Sequence, residues 1–123
     1  MSATCYCDYD QPTWYRSKTV TARKVHRCIE CSHKIQPGER YDSAVGMWEG
    51  RIKTWPTCDR CVDLREFVRA HVPCFCWAHG NLHDDAIAEA ECYAHDAPGL
   101  LFGAYRRMKL TESRWRNHAK RAA

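Results

Sequence analysis

Four of the nine cysteines in this chain of 123 residues fall into two Cys-x-x-Cys pairs, Cys28-Ile-Glu-Cys31 and Cys58-Asp-Arg-Cys61. Each pair puts two sulfurs within about one turn of backbone, so together they can supply the tetrahedral thiolate set that a structural zinc ion prefers. Four protein ligands leave no coordination position for a reacting water. One structural zinc ion held by Cys28, Cys31, Cys58 and Cys61 is therefore expected. Buried thiols, disulfides and a redox pair are the competing explanations for the same residues.

Two further cysteine pairs have one intervening residue, Cys5-Tyr-Cys7 and Cys74-Phe-Cys76. They could complete a second four-thiolate zinc site, tying the N-terminus to the start of the second half of the chain. Buried apolar thiols and a mixed site using His71, His79 or His83 remain open as alternatives. Cys92 has no counterpart.

The long spacer between the first two pairs must hold folded structure, because the commonest double-pair pattern spaces them by only about 15–20 residues. Gln36-Pro37-Gly38-Glu39 is a turn signal: proline presets φ at the second position and glycine supplies positive φ at the third. Arg40 to Trp48 is rich in β-forming residues, Glu49-Gly50 suits a two-residue hairpin loop, and Arg51 to Trp55 returns. Cys61, Leu64, Phe67, Val68 and Val72 then recur at helical spacing until Pro73 forbids continuation. Thr57 is the expected N-cap. A knuckle, a hairpin and a helix carrying the last two ligands in its first turn is the treble-clef arrangement.

Residues 1–27 form an N-terminal extension, 28–72 the zinc module and 73–123 a helical second half, all within one α+β domain. Asn81 to His95 reads as a helix with Leu82, Ala86, Ala90 and Tyr93 on one side, broken by Asp96-Ala97-Pro98-Gly99. A last helix carries Leu101, Tyr105, Met108, Glu112 and Trp115 along one stripe. The two helices are expected to pack on each other and on the treble clef. A chain this short buries a modest core, so a metal staple matters to its stability.

The formal net charge is +4, unevenly spread. Ala104 to Ala123 carries Arg106, Arg107, Lys109, Arg114, Arg116, Lys120 and Arg121 against Glu112 alone. Arg16 to Lys34 is a second basic stretch, whereas Asn81 to Asp96 is acidic. Such asymmetry suits nucleic-acid contact or internal pairing of acidic and basic segments. No stretch reaches the roughly 20 apolar residues of a membrane span, and Met1 to Tyr15 lacks the features of a secretory signal. A cytoplasmic protein with reduced thiols is expected.

The pieces CDYDQPTWY, ARKVHRCIEC, PGERY, GMWEG and TCDRC stand in an order and spacing that resembles a family of small zinc-finger-like proteins of bacteriophages and prophages. The likeness covers roughly residues 7–72 and departs from the pattern at Gln11, Trp14 and Glu49. It implies a phage origin, a host-cytoplasmic location and cysteine ligands, but no reaction.

With Glu49-Gly50 as the loop, Trp48 faces Arg51, Gly46 faces Lys53 and Ala44 faces Trp55, while Val45, Met47, Ile52 and Thr54 occupy the opposite face. The second set is expected to be core-like. The first interleaves tryptophans with cations, the mixture that stacks bases and neutralises phosphates. Burial of Trp48 and Trp55 against the N-terminal segment, with the cations snorkelling, is the structural alternative. The basic residues of the last helix, Arg106, Arg107, Lys109, Arg114 and Arg116, suit a solvated face, phosphate contacts or an acidic protein surface.

Catalysis is not expected. The nuclease class built on treble clefs uses a histidine on the hairpin as base, and Arg40 to Trp55 contains none. No phosphate loop, nucleophile-base pair or paired-carboxylate motif stands out, and no small-molecule substrate is implied. The expected function is zinc-stapled binding of nucleic acid or of host machinery that handles it. A protein-protein adaptor or inhibitor of a host defence, replication or transcription complex is the alternative, with a nuclease behind both.

Overall fold

The computed structural model describes Tyr9 and residues 11–122, with side chains as far as Thr111. In chain order the elements are β1 (Trp14–Thr21), β2 (His26–Arg27), β3 (Lys34–Ile35), β4 (Arg40–Trp48), β5 (Arg51–Cys58), α1 (Asp59–His71), α2 (Leu82–Cys92) and α3 (Leu100–Ala122). The fold is mixed α+β: an antiparallel sheet of order β1-β4-β5, a two-stranded β2-β3 ribbon, and three helices.

The β4-β5 hairpin has the expected register, closing on the Trp48–Arg51 pair. Glu49 and Gly50 both take positive φ, 50° and 77°, as a two-residue loop matching strand twist requires. The Gln36–Glu39 turn also forms, with Gly38 at φ 94° and the Glu39 N–H donating to the Gln36 carbonyl at 3.0 Å. Strand β1, which lacks hydrophobic alternation in the sequence, pairs with β4 from Trp14–Met47 to Thr21–Arg40. It is an edge strand exposed along nearly its whole length, and Arg16 and Lys18 give it the charge that discourages further strand pairing.

The faces of the sheet are the reverse of expectation. Ala44 and Gly46 are buried and Trp48 and Trp55 partly buried, whereas Ile52, on the face expected to be core-like, is 64% exposed. The reason lies after α1: residues 73–81 run irregularly and bring Phe75, Trp77 and His79 to the cavity that Trp48 and Trp55 also line. Asp42 on the same inner face pairs with Arg65 of α1 at 3.3 Å, both nearly buried. A charge pair this deep fixes the position of α1 on the sheet more than it adds net stability.

Helix α1 buries Cys61, Leu64, Arg65 and Val68. Its N-cap is Cys58 without a side-chain cap, and Thr57 is instead a buried residue of β5. Helix α2 buries Leu82, Ala86 and Ala90 as its spacing predicts. Helix α3 turns differently from expectation: Leu100, Gly103, Ala104 and Thr111 are buried and Tyr105 is exposed. The small residues let α1 and α3 approach closely. A Cβ on Gly103 would lie 2.8 Å or less from two Phe67 ring carbons, and the Arg107 guanidinium covers the same ring at 3.8 Å.

The Gly103 contact carries a test. Gly103→Ala is expected to lower the stability of the zinc-loaded protein by about 1–3 kcal/mol through overpacking, outweighing the roughly 1 kcal/mol by which alanine is intrinsically favoured in helices. Denaturant titration measures it; a gain in stability would show that Phe67 yields freely.

Candidate metal centre and aromatic cavity

The four sulfurs of Cys28, Cys31, Cys58 and Cys61 all lie within 4.8 Å of one another. Cys28 and Cys61 are 3.8 Å apart, Cys31 and Cys58 3.6 Å. A tetrahedral site with zinc–sulfur bonds of about 2.3 Å requires sulfur–sulfur edges of about 3.8 Å. The donor set and spacing fit a zinc ion.

Local structure explains how the sulfurs converge. The β2-β3 ribbon turns over Cys28–Cys31, with the Cys28 N–H donating to the His33 carbonyl at 2.9 Å and the Ser32 N–H to the Cys28 carbonyl at 3.0 Å. Ser32 closes the turn at φ 61°, a left-handed conformation that costs a non-glycine residue energy. The Ile29 N–H donates to the Pro56 carbonyl at 2.9 Å and so docks the knuckle on β5. Backbone N–H groups of Glu30 and Cys58 point at the Cys28 sulfur at 3.4 and 3.3 Å. Cys58 ends β5 and Cys61 lies in the first turn of α1, where the helix N-terminus favours thiolate.

Electrostatics also call for a cation. Hydrogen bonding with Cys31 and the other thiols pushes the Cys28 thiol down, while Cys58 and Cys61 are pushed up, chiefly by their interaction with Cys28. Without a positive ion, the cluster can hold only part of the charge that four thiolates would carry.

Two surrounding residues lock the centre to the second half of the chain. His83 of α2 places its Nε2 3.4 Å from the Cys61 sulfur. Glu30, inside the first Cys-x-x-Cys pair, accepts from the N–H groups of Gly80 and Leu82 at 2.9 Å each and so satisfies donors at the start of α2. Burial pushes its carboxyl up, against those two bonds. Neither residue is visible as a partner of the centre from spacing alone.

Cys74 and Cys76 hold their sulfurs 3.6 Å apart. Cys5 and Cys7 lie outside the described residues, so the second four-thiolate set is a matter of sequence. Among the alternative histidines, His71 bonds the Phe67 carbonyl and His83 adjoins Cys61.

The predicted tryptophans line a cavity of about 590 Å³ between the inner sheet face and residues 75–79. Within its wall His79 stacks on Trp55 at 5.5 Å with rings 8° apart, and lies 5.8 Å from Tyr15 at 28°. Trp48 stands edge-on to all three. Gly46 makes room for it, since a Cβ there would lie 2.7 Å from the Trp48 ring. His79 Nε2 and the Tyr15 hydroxyl are hydrogen-bonded at 3.0 Å. Burial, aided by the Arg65 charge, pushes the His79 pKa down to about 4, so the ring is neutral at pH 7. Lys53 reaches the cavity with its Nζ 5.8 Å from the Trp55 centroid.

The remaining candidates are dispersed. Arg51 is exposed beside the hairpin loop. Arg107 is held internally by Asp63 at 3.3 Å, the Gly103 carbonyl and Phe67. Arg106 and Lys109 are exposed on α3, and the side chains of Arg114 and Arg116 lie outside the described set. No described helix is long and apolar enough to cross a membrane.

Comparison with family models, curated proteins and solved structures finds no match. The resemblance to small phage proteins rests on the sequence motifs alone.

Two outcomes follow from this geometry. Replacing Cys58 and Cys61 together by Ser is expected to abolish the tightly bound metal of the 28/31/58/61 site, read as the loss of one zinc per chain by elemental analysis; unchanged metal content would place the ion elsewhere. His83→Ala is expected to weaken zinc retention against a competing chelator by about 10–100-fold, the range for loss of a group that supports a metal ligand. An unchanged competition curve would reduce His83 to a packing residue.

Proposed function

We propose that the chain is a phage-type, treble-clef zinc module that binds single-stranded nucleic acid without catalysing a reaction. The outer face of the β1-β4-β5 sheet carries the reading. By register, Trp14, Arg16 and Lys18 of β1 share that face with Val45 and Met47 of β4 and Ile52 and Thr54 of β5. The Arg16 guanidinium lies 6.0 Å from the Trp14 ring centroid, and Trp14 is 38% exposed. None of the strand residues that the register puts on this face is Asp or Glu. An aromatic ring, cations and an open pleated surface without acids support stacking of bases and neutralisation of phosphates.

A protein-binding adaptor role is favoured by a different observation. Phe102, Tyr105 and Leu110 are exposed on α3, Phe102 at 73%, and exposed apolar residues at helical spacing suit a protein partner.

Salt separates the two. With four to six phosphate contacts, the log-log dependence of affinity on salt is expected to have a slope of about −3 to −4 on single strands, at about 0.7 per contact. Replacing Arg16 and Lys18 by Ala should make it shallower by roughly 1.4, while Trp14→Ala should cost about 1–3 kcal/mol in affinity with the slope unchanged. Absence of binding to single-stranded DNA or RNA at low salt by the zinc-loaded protein would rule the reading out and leave the adaptor role.

A further inference from the structure

Cys74 and Cys76 belong neither to the four-sulfur centre nor to the outer sheet face. Phe75, between them, is buried and stacks with Trp77 at 5.4 Å. Side chains two apart share a side where the backbone is not helical, so the two cysteines fall together on the other side, with sulfurs 3.6 Å apart. A disulfide spans about 2.05 Å, so they are not bonded to each other; each lies instead against a further sulfur. Their separation matches the 3.6 and 3.8 Å between sulfurs of the first centre and the edge of about 3.8 Å in a tetrahedral zinc site.

Two cysteines are half of a closed zinc site, and the described residues do not supply the rest: among them the one cluster of three or more potential ligands is Cys28, Cys31, Cys58 and Cys61. The hydrogen bonds of Asp85 point to the start of the chain. It accepts from the Tyr9 hydroxyl at 2.7 Å on one oxygen and from the Ala78 N–H at 2.9 Å on the other. One carboxylate thus holds the residue two past Cys7 and the residue two past Cys76. Tyr9 and Cys76 also line the same cavity. Two residues of chain span at most about 7 Å and four about 14 Å, so the chain before Tyr9 has the length to return to Cys74 and Cys76. The same Cys-x-Cys spacing stands there, at Cys5 and Cys7. We infer that Cys5, Cys7, Cys74 and Cys76 hold a second structural zinc ion, which clamps the start of the chain across the segment that follows α1. The competing chemistry is a pair of disulfides between the two Cys-x-Cys units. Disulfides place no demand on the distance between Cys74 and Cys76, whereas a shared ion requires the tetrahedral edge that is found. The four thiols of the first centre, moreover, hold zinc only while reduced, a condition under which disulfides are rare. The inference does not depend on what the outer sheet face binds.

The test counts metal and thiols on full-length protein purified anaerobically without chelator. Elemental analysis should give about two zinc ions per chain. In denaturant with chelator but no reductant, all nine cysteines should react with a thiol reagent. Cys5→Ser with Cys7→Ser, and separately Cys74→Ser with Cys76→Ser, should each lower the zinc content to about one. Circular dichroism and retention of the remaining zinc establish that each variant is folded, and the first of the two keeps the proposal testable should the second fail to fold. Reaction restricted to Cys28, Cys31, Cys58, Cys61 and Cys92, read by mass mapping, would mean disulfides and overturn the proposal. About one zinc in the unmodified protein, with all cysteines reactive, would overturn it in favour of buried thiols. Loss of an ion on replacing Cys74 and Cys76 but not on replacing Cys5 and Cys7 would overturn the assignment of the ligands.

Discussion

Four sulfurs gathered within 4.8 Å are the constraint on which this fold depends. A two-residue ribbon, the end of a sheet strand and the first turn of a helix all meet there. The ribbon is the clearest case, pairing only His26–Ile35 and Arg27–Lys34, far too little to persist as an isolated hairpin in water. Its backbone bond to Pro56 and the sulfurs of Cys28 and Cys31 give it a place. Zinc binding to a cysteine set of this kind is worth about 10–16 kcal/mol in small modules, comparable with the whole stability of an ordinary domain.

The centre also organises what lies beyond it. Glu30, held between two ligands, reaches across to the start of α2, and His83 of α2 returns to the Cys61 sulfur. The irregular segment between α1 and α2 is thereby drawn over the inner sheet face, where Phe75, Trp77 and His79 meet Trp48 and Trp55. Asp85 reinforces that path by accepting from the Ala78 N–H at 2.9 Å and from the Tyr9 hydroxyl at 2.7 Å. The two sides of the sheet consequently differ: one face closes an aromatic cavity, and the other presents Trp14, Arg16 and Lys18 outward.

Much of this was legible wherever local chemistry determines structure. The cysteine pairs, the Glu49-Gly50 loop, the Pro37-Gly38 turn and the stripe of Leu64 and Val68 each rest on a short-range rule, and each is found. Features set by what packs against them were not. Strand β1 has no hydrophobic alternation because both its faces are largely solvated; its one signal was the β-forming run of Trp14, Tyr15, Thr19, Val20 and Thr21. The inner and outer sheet faces were exchanged because tryptophans beside cations look solvent-facing, and only the long-range return of residues 75–79 covers them. The buried stripe of α3 was displaced because hydrophobicity patterns overlook glycine and alanine, whereas close helix packing selects them at Gly103 and Ala104. Glu30 and His83 are partners of the centre through contacts across 52 and 22 positions, beyond any spacing rule.

The most direct measurement is X-ray absorption at the zinc edge on the purified full-length protein, combined with circular dichroism before and after chelation. The ion at Cys28, Cys31, Cys58 and Cys61 should show a shell of four sulfurs at about 2.3 Å, and ordered structure should be lost when a strong chelator removes it. A protein that contains no zinc, or that keeps its fold unchanged after the metal is stripped, would contradict it.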